Sequence, residues 1–286
     1  MIAANAAIII FLSAVLFSSC NGTAKQEIGP LVVAHRGGSA LAPENTLAAF
    51  SSALAHGSDT VEMDVHLSND GVLMVIHDTL LERTTGQQGS VSDYDSNTLA
   101  TFDAAARYAK NHPFGFQKIP TLAEVIELVE NTSQQPVHYQ IEIKLKEDGS
   151  RYVGIEQKLI DTLQLYGILD RTVAITFDFP TLERLHTLEP ELALGALVSK
   201  EYMNGFGKAG PKAIATQIAS LPVQYVGINH IYLNQKLYGE FRRKGLGVGV
   251  WTVDSPSTMK KFVRMGLDFI TTNRSDLLRA LLSKLQ

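Results

Sequence analysis

Two pairs of polar residues, each split by one position, interrupt apolar runs in the chain: Glu62-Met63-Asp64 and Glu142-Ile143-Lys144. On an extended strand residues i and i+2 share a face, so Glu62 points with Asp64 and Glu142 with Lys144. Three carboxylates aimed at one place repel each other, and burial raises their pKa values unless a cation sits among them. Oxygen-only ligands select a hard ion. One divalent cation, Mg²⁺ or Ca²⁺, is therefore expected on Glu62, Asp64 and Glu142. Zinc suits the set less well, because the chain has a single cysteine and no paired-histidine spacing.

The neighbouring motifs carry groups suited to a phosphate ester. His35-Arg36 follows the apolar run 31–34 and precedes Gly37-Gly38, where glycine lets the backbone turn sharply. Arg36 offers a planar donor fork for phosphate oxygens, and Lys144 adds a compact positive charge. His35 and His77 take and give protons near neutral pH. This combination points to phosphate-ester hydrolysis with one histidine as base and the other as acid, in an order the residues leave open. Phe177 and Trp251 close apolar runs and are read as walls of a substrate cleft, although barrel packing explains them nearly as well. The other histidines are read as structural; His66 shares the parity of Glu62 and Asp64 but is given little weight. Glu44 and Asn45 are assigned to a helix start, with Asn45 as its N-cap, outside the catalytic set.

These side chains need a frame that gathers strand ends. Strand-like runs fall at 31–34, 60–65, 139–144, 172–177, 192–198, 225–229, 247–253 and 268–272. Helix-period segments lie between most of them, at 46–56, 122–130, 152–166, 181–188, 212–221, 235–244 and 256–265, and 277–285 closes the chain. Eight strands alternating with helices predict a (β/α)8 TIM barrel, whose site lies at the strand C-terminal ends. A further apolar run at 72–76 follows the second strand after only six residues, too few for a parallel crossover. With Asn69-Asp70-Gly71 as its turn, it is predicted to be a β-hairpin flap returning His77-Asp78 to the barrel mouth. The segment 82–119 is a long insertion of the kind that forms lids or small subdomains.

Residues 1–20 contain no charged side chain and end in Ser18-Ser19-Cys20. They are expected to be a signal peptide of lipoprotein type, with Cys20 lipidated, followed by a linker at 21–30 and the catalytic barrel at 31–286. That places the protein outside the cytoplasm, in a bacterial cell envelope, with a membrane-surface tether through its N-terminus. The formal net charge of −4 gives no basic footprint for nucleic acid.

In type, order and spacing, the motifs resemble those of the glycerophosphodiester phosphodiesterases. They are His35-Arg36-Gly37, Pro43-Glu44-Asn45-Thr46, Glu62-x-Asp64, Asp70-Gly71, His77-Asp78 and Arg83-Thr84-Thr85. Ile119-Pro120-Thr121-Leu122, Glu142-x-Lys144 and Trp251-Thr252-Val253 continue the series, so the likeness covers nearly everything after residue 30. The resemblance implies a metal-dependent TIM-barrel hydrolase that releases glycerol phosphate and an alcohol from small glycerophosphodiesters. It implies metal ligation by Glu62, Asp64 and Glu142, acid–base work by His35 and His77, and phosphate binding by Arg36 and Lys144. One departure is Asn273, where many members carry Asp. Two other readings stay open: a metal-independent phosphoinositide-type phospholipase C or lyase, and a catalytically silent phosphodiester-binding lipoprotein. The intact carboxylate trio favours the first reading.

Overall fold

The frame begins with a four-residue strand, β1 (Leu31–Ala34), whose two neighbours in the closed sheet are set by short parallel registers. A computed structural model of the protein describes residues 29–108 and 113–285. The strands are β2 (Thr60–Leu67), β3 (Leu73–Val75), β4 (His138–Ile143), β5 (Thr172–Thr176), β6 (Ala193–Val198), β7 (Tyr225–Asn229), β8 (Gly247–Trp251) and β9 (Phe269–Thr272). All but β3 pair in parallel around the ring β1-β2-β4-β5-β6-β7-β8-β9, and β9 returns to β1. This is the expected (β/α)8 TIM barrel.

β3 is the predicted flap. It pairs antiparallel with β2 through Val65↔Val75, His66↔Met74 and Leu67↔Leu73. That pairing carries β2 two residues beyond the expected 60–65. The inserted segment behind the flap has its own small core of Met74, Ile76, Leu81, Val91, Leu99 and Ile119, separate from the main barrel–helix core.

The first helix, Leu47–Ala55, is capped by Thr46, whose hydroxyl accepts from the Ala49 amide. Asn45 is therefore not the cap. Its φ of 56° places it in left-handed backbone, one residue outside the helix, and frees its side chain for the barrel. The helix expected at 152–166 begins at Ile155, because Gly154 at φ 80° precedes it. Between β6 and β7 the crossover holds two helices, Lys200–Phe206 and Pro211–Ile218.

Alternation along β2 explains how the site is exposed inside an apolar barrel. Val61, Met63 and Val65 join the core shared with the helices, which leaves Glu62 and Asp64 facing inward. Inside the barrel, β7 and β8 carry glycines in the same layer. A Cβ on Gly227 would lie 2.9 Å from Leu197 Cδ2, and one on Gly249 would lie 2.0 Å from the Phe269 ring. The missing side chains make room for their neighbours. The expected leader with Cys20 lies outside the described residues; among those, no helix is long and apolar enough to cross a membrane.

Candidate active site

β1 ends in a tight turn, His35–Gly37, in which Arg36 has φ 52° and Gly37 φ 77°. A side chain at Gly37 would come within 2.8 Å of Ala49 Cβ and 2.9 Å of the Phe50 nitrogen, so the first helix closes over a bare backbone. The turn aims the Arg36 amide at Glu62, donating to Oε2 at 2.7 Å.

The β2–β4 register sets Asp64 beside Glu142 and Glu62 beside Gln140. Glu62, Asp64 and Glu142 are all buried, and one oxygen from each lies within 4.8 Å of the others. Lys144 Nζ donates to Glu142 Oε1 at 2.7 Å and stands 3.5 Å from Asp64 Oδ1. Arg36 Nε lies 3.7 Å from Asp64 Oδ2, which accepts from Asn45 Nδ2 at 2.9 Å. Asn45 thus belongs to the site after all.

Burial, then Asp64 and Glu142, push the Glu62 carboxyl well above the usual carboxylate range. Burial acts on Asp64 in the same direction, but Lys144, His77 and Arg36 outweigh it and hold that carboxyl low. Glu142 is raised by burial, which Lys144 only partly offsets. Asp64 Oδ1 is buried without a hydrogen-bond partner among the described residues. A crowded trio with one strained acid and one orphaned oxygen fits a hard divalent cation.

A cavity of about 130 Å³ opens beside the trio, lined on one side by His35, Arg36, Glu62, His77 and Glu142. Val173, Ile175, Leu197 and Phe269 form its apolar side. Phe177 and Trp251 both line it and pack edge to face, with ring centroids 5.5 Å apart. Seven of the nine residues singled out in the barrel sequence therefore line one opening, and Asp64 and Lys144 stand behind it, with Lys144 bonded to Glu142 and close to Asp64.

A model of the glycerophosphoryl diester phosphodiesterase family matches residues 35–277. The chain belongs to that family. It is 33% identical over 254 residues to a glycerophosphodiester phosphodiesterase of Caldanaerobacter subterraneus subsp. tengcongensis, covering 89% of this chain and 98% of the relative. A Bacillus altitudinis glycerophosphodiester phosphodiesterase is also 33% identical, with 86% and 95% covered. Among solved structures, an Oleispira antarctica phosphodiesterase in complex with the product sn-glycerol-3-phosphate superposes with a TM-score of 0.71 at 25% identity, covering 89% of this chain and 97% of that one.

In this phosphodiesterase the two histidines have different supports. His35 Nδ1 lies 2.6 Å from Asn273 Oδ1, and Asp254 fixes that amide by accepting from Asn273 Nδ2 at 2.8 Å. Desolvation, with Arg36 alongside, lowers the His35 pKa to about 4 against the Asn273 hydrogen bond. His77 Nδ1 instead meets the Asp78 carboxylate at 2.6 Å. His66 is fully buried and brackets the flap: one ring nitrogen lies 3.1 Å from the His77 carbonyl and the other 2.9 Å from the Tyr152 hydroxyl. Motif reading passes over Asn273, Asp254, Tyr152 and Gln140. Only the parity of His66 and the family departure at Asn273 signal any of these contacts in advance.

Proposed function

We propose that this phosphodiesterase cleaves its glycerophosphodiester substrates at a divalent cation held by Glu62, Asp64 and Glu142, with His35 as general base and His77 as general acid. Bound there, Mg²⁺ or Ca²⁺ would polarise the phosphoryl oxygens and neutralise developing charge. Arg36 and Lys144 orient the phosphate by charge and hydrogen bonding. Phe177 and Trp251 cover the apolar side of the departing alcohol. His35 Nε2 takes a proton from the attacking water as its oxygen bonds to phosphorus. His77 gives a proton to the alcohol oxygen as the second P–O bond breaks, yielding glycerol phosphate and an alcohol.

One observation carries the order of the histidines: the partner behind each ring. Asn273 is a neutral amide whose oxygen receives the Nδ1 proton of an uncharged His35, leaving Nε2 able to accept. Behind His77 stands instead the Asp78 carboxylate, 2.6 Å from Nδ1, a negative charge where His35 has a neutral amide. The test is an assay of purified protein on glycerophosphocholine, glycerophosphoethanolamine and glycerophosphoinositol, before and after EDTA. Turnover lost on chelation and restored by Mg²⁺ or Ca²⁺ is expected; full turnover in protein shown metal-free by elemental analysis overturns the cation.

We propose also that Cys20 is lipidated and tethers the barrel to a membrane surface in the cell envelope, as the charge-free leader ending in Ser18-Ser19-Cys20 supports. Labelled fatty acid should enter the wild-type protein and not a Cys20→Ser variant; label absent from both refutes the tether.

A further inference from the structure

We propose that Arg83 is a positioning residue that locks the proton donor His77 and the phosphate-binding Arg36 into one unit. The inference rests on the roles proposed above for those two side chains. Arg83 sits in a single helical turn, Glu82–Thr85, at the start of the inserted segment, and does not line the catalytic cavity. Yet every edge of its guanidinium is used toward the site. Nη1 donates to Glu44 Oε2 at 2.9 Å, Nη2 donates to Glu44 Oε1 at 2.6 Å, and Nε donates to Asp78 Oδ2.

The two carboxylates pass that order inward. Glu44 Oε1 also accepts from Arg36 Nη1 at 2.9 Å, and the other Asp78 oxygen meets His77 Nδ1 at 2.6 Å. A continuous chain therefore runs His77–Asp78–Arg83–Glu44–Arg36, with both ends in the cavity and the middle outside it. It joins the loop after β1 to the end of the flap and the start of the insertion, with Arg83 39 residues beyond Glu44.

A lone exposed ion pair would hold little, because solvent screens it and side-chain entropy opposes it. Arg83 is about half exposed, at 47%. The difference here is geometry: a forked, bidentate grip on Glu44 and a third bond to Asp78 leave neither carboxylate free to rotate. Lysine could neutralise one of the two carboxylates but could not span both as a planar fork. Glu44, assigned from sequence to a helix start, becomes the link that sets the Arg36 fork toward phosphate.

The test compares Arg83→Gln, Arg83→Lys and Arg83→Ala in the full-length protein, with circular dichroism confirming the fold of each. In Arg83→Gln, kcat should fall by about 10- to 100-fold, as when an outer partner of a functional imidazole is removed. Its affinity for sn-glycerol 3-phosphate, measured by calorimetry, should weaken by about tenfold, the scale of one lost charged hydrogen bond. The two effects should separate upstream: Glu44→Gln should move product affinity and KM, and Asp78→Asn should move kcat. Arg83→Lys should stay close to Arg83→Gln, and millimolar guanidinium should partly restore Arg83→Ala. A folded Arg83→Gln with wild-type kcat and product affinity overturns the proposal, as does full rescue by lysine. His77→Ala and Arg36→Gln, assayed alongside, separate the two failures. If they behave as wild type, the proposed roles themselves fall and the inference with them; if they are impaired while Arg83→Gln is not, only the positioning role falls.

Discussion

His35 and His77 meet at one cavity but are held by unlike parts of the molecule. His35 stands at the end of β1, and its partner Asn273 and the backing Asp254 follow β9 and β8, so its support is the closed barrel itself. His77 stands at the end of a flap, supported by Asp78, by Arg83 from the insertion and by His66 behind its carbonyl. One support is shared by three strands in a closed ring and ends in a neutral amide. The other is a hairpin and an added segment, and it ends in a carboxylate. In the proposed order of the histidines, the group behind each ring, as well as its position, would divide the labour between two residues of one type.

The largest effect should come from removing either ring. His35→Ala and His77→Ala are each expected to lower kcat by about 10²–10⁴-fold, and the double variant should be little worse than the worse single one. Steady-state kinetics on glycerophosphocholine check this; a folded single variant near wild-type turnover breaks the comparison on that side.

The next effect concerns pH. Asn273→Asp would put a carboxylate behind His35 and raise its pKa from about 4. A base must be unprotonated to work, so the raised pKa removes activity on the acid side. The acid limb of kcat/KM should move up by about one to three pH units, the range for a new opposite charge at contact. Asp78→Asn should leave that limb where it is. A pH profile for Asn273→Asp that matches wild type would show that the amide does not set the His35 charge state.

Smaller effects fall on stability. Gly37→Ala forces a Cβ into left-handed backbone and against Ala49, and should destabilise the fold by about 1–3 kcal/mol in urea denaturation. Tyr152→Phe removes one hydrogen bond from His66 and should cost about 1 kcal/mol, with faster hydrogen exchange in the flap than in β1. Uniform exchange in both regions would mean that the flap is no looser than the barrel.

Much of this arrangement is legible in the sequence. The i, i+2 pairs, the strand runs and the short Asn69-Asp70-Gly71 connection depend on local spacing, and in the structure the carboxylate trio and Lys144 form one cluster beside the cavity that both histidines line. The supports are harder to read, because they join distant positions. His35 and Asn273 are 238 residues apart, and His66 and Tyr152 are 86 apart. Asn45 misleads for a different reason. Asn and Thr are both good caps, so adjacent Asn45-Thr46 offers two equivalent starts, and only the left-handed φ at 45 decides for Thr46. Arg83 lies in a segment whose composition reads as a loop, where one arginine carries no periodic signal.

The glycines inside β7 and β8 have a consequence for how this pocket can change. Leu197 leans from one strand into the space over Gly227, and Phe269 fills the space over Gly249, so bulk is lent sideways around the barrel. In a close-packed interior such a loan must be balanced one strand further on. Gly249→Ala would evict the Phe269 ring, whereas Phe269→Ala would open a shaft beneath the carboxylates and displace no charged group. The floor of the pocket can therefore be recut for substrates of another size while the ionic apparatus above it stays in register.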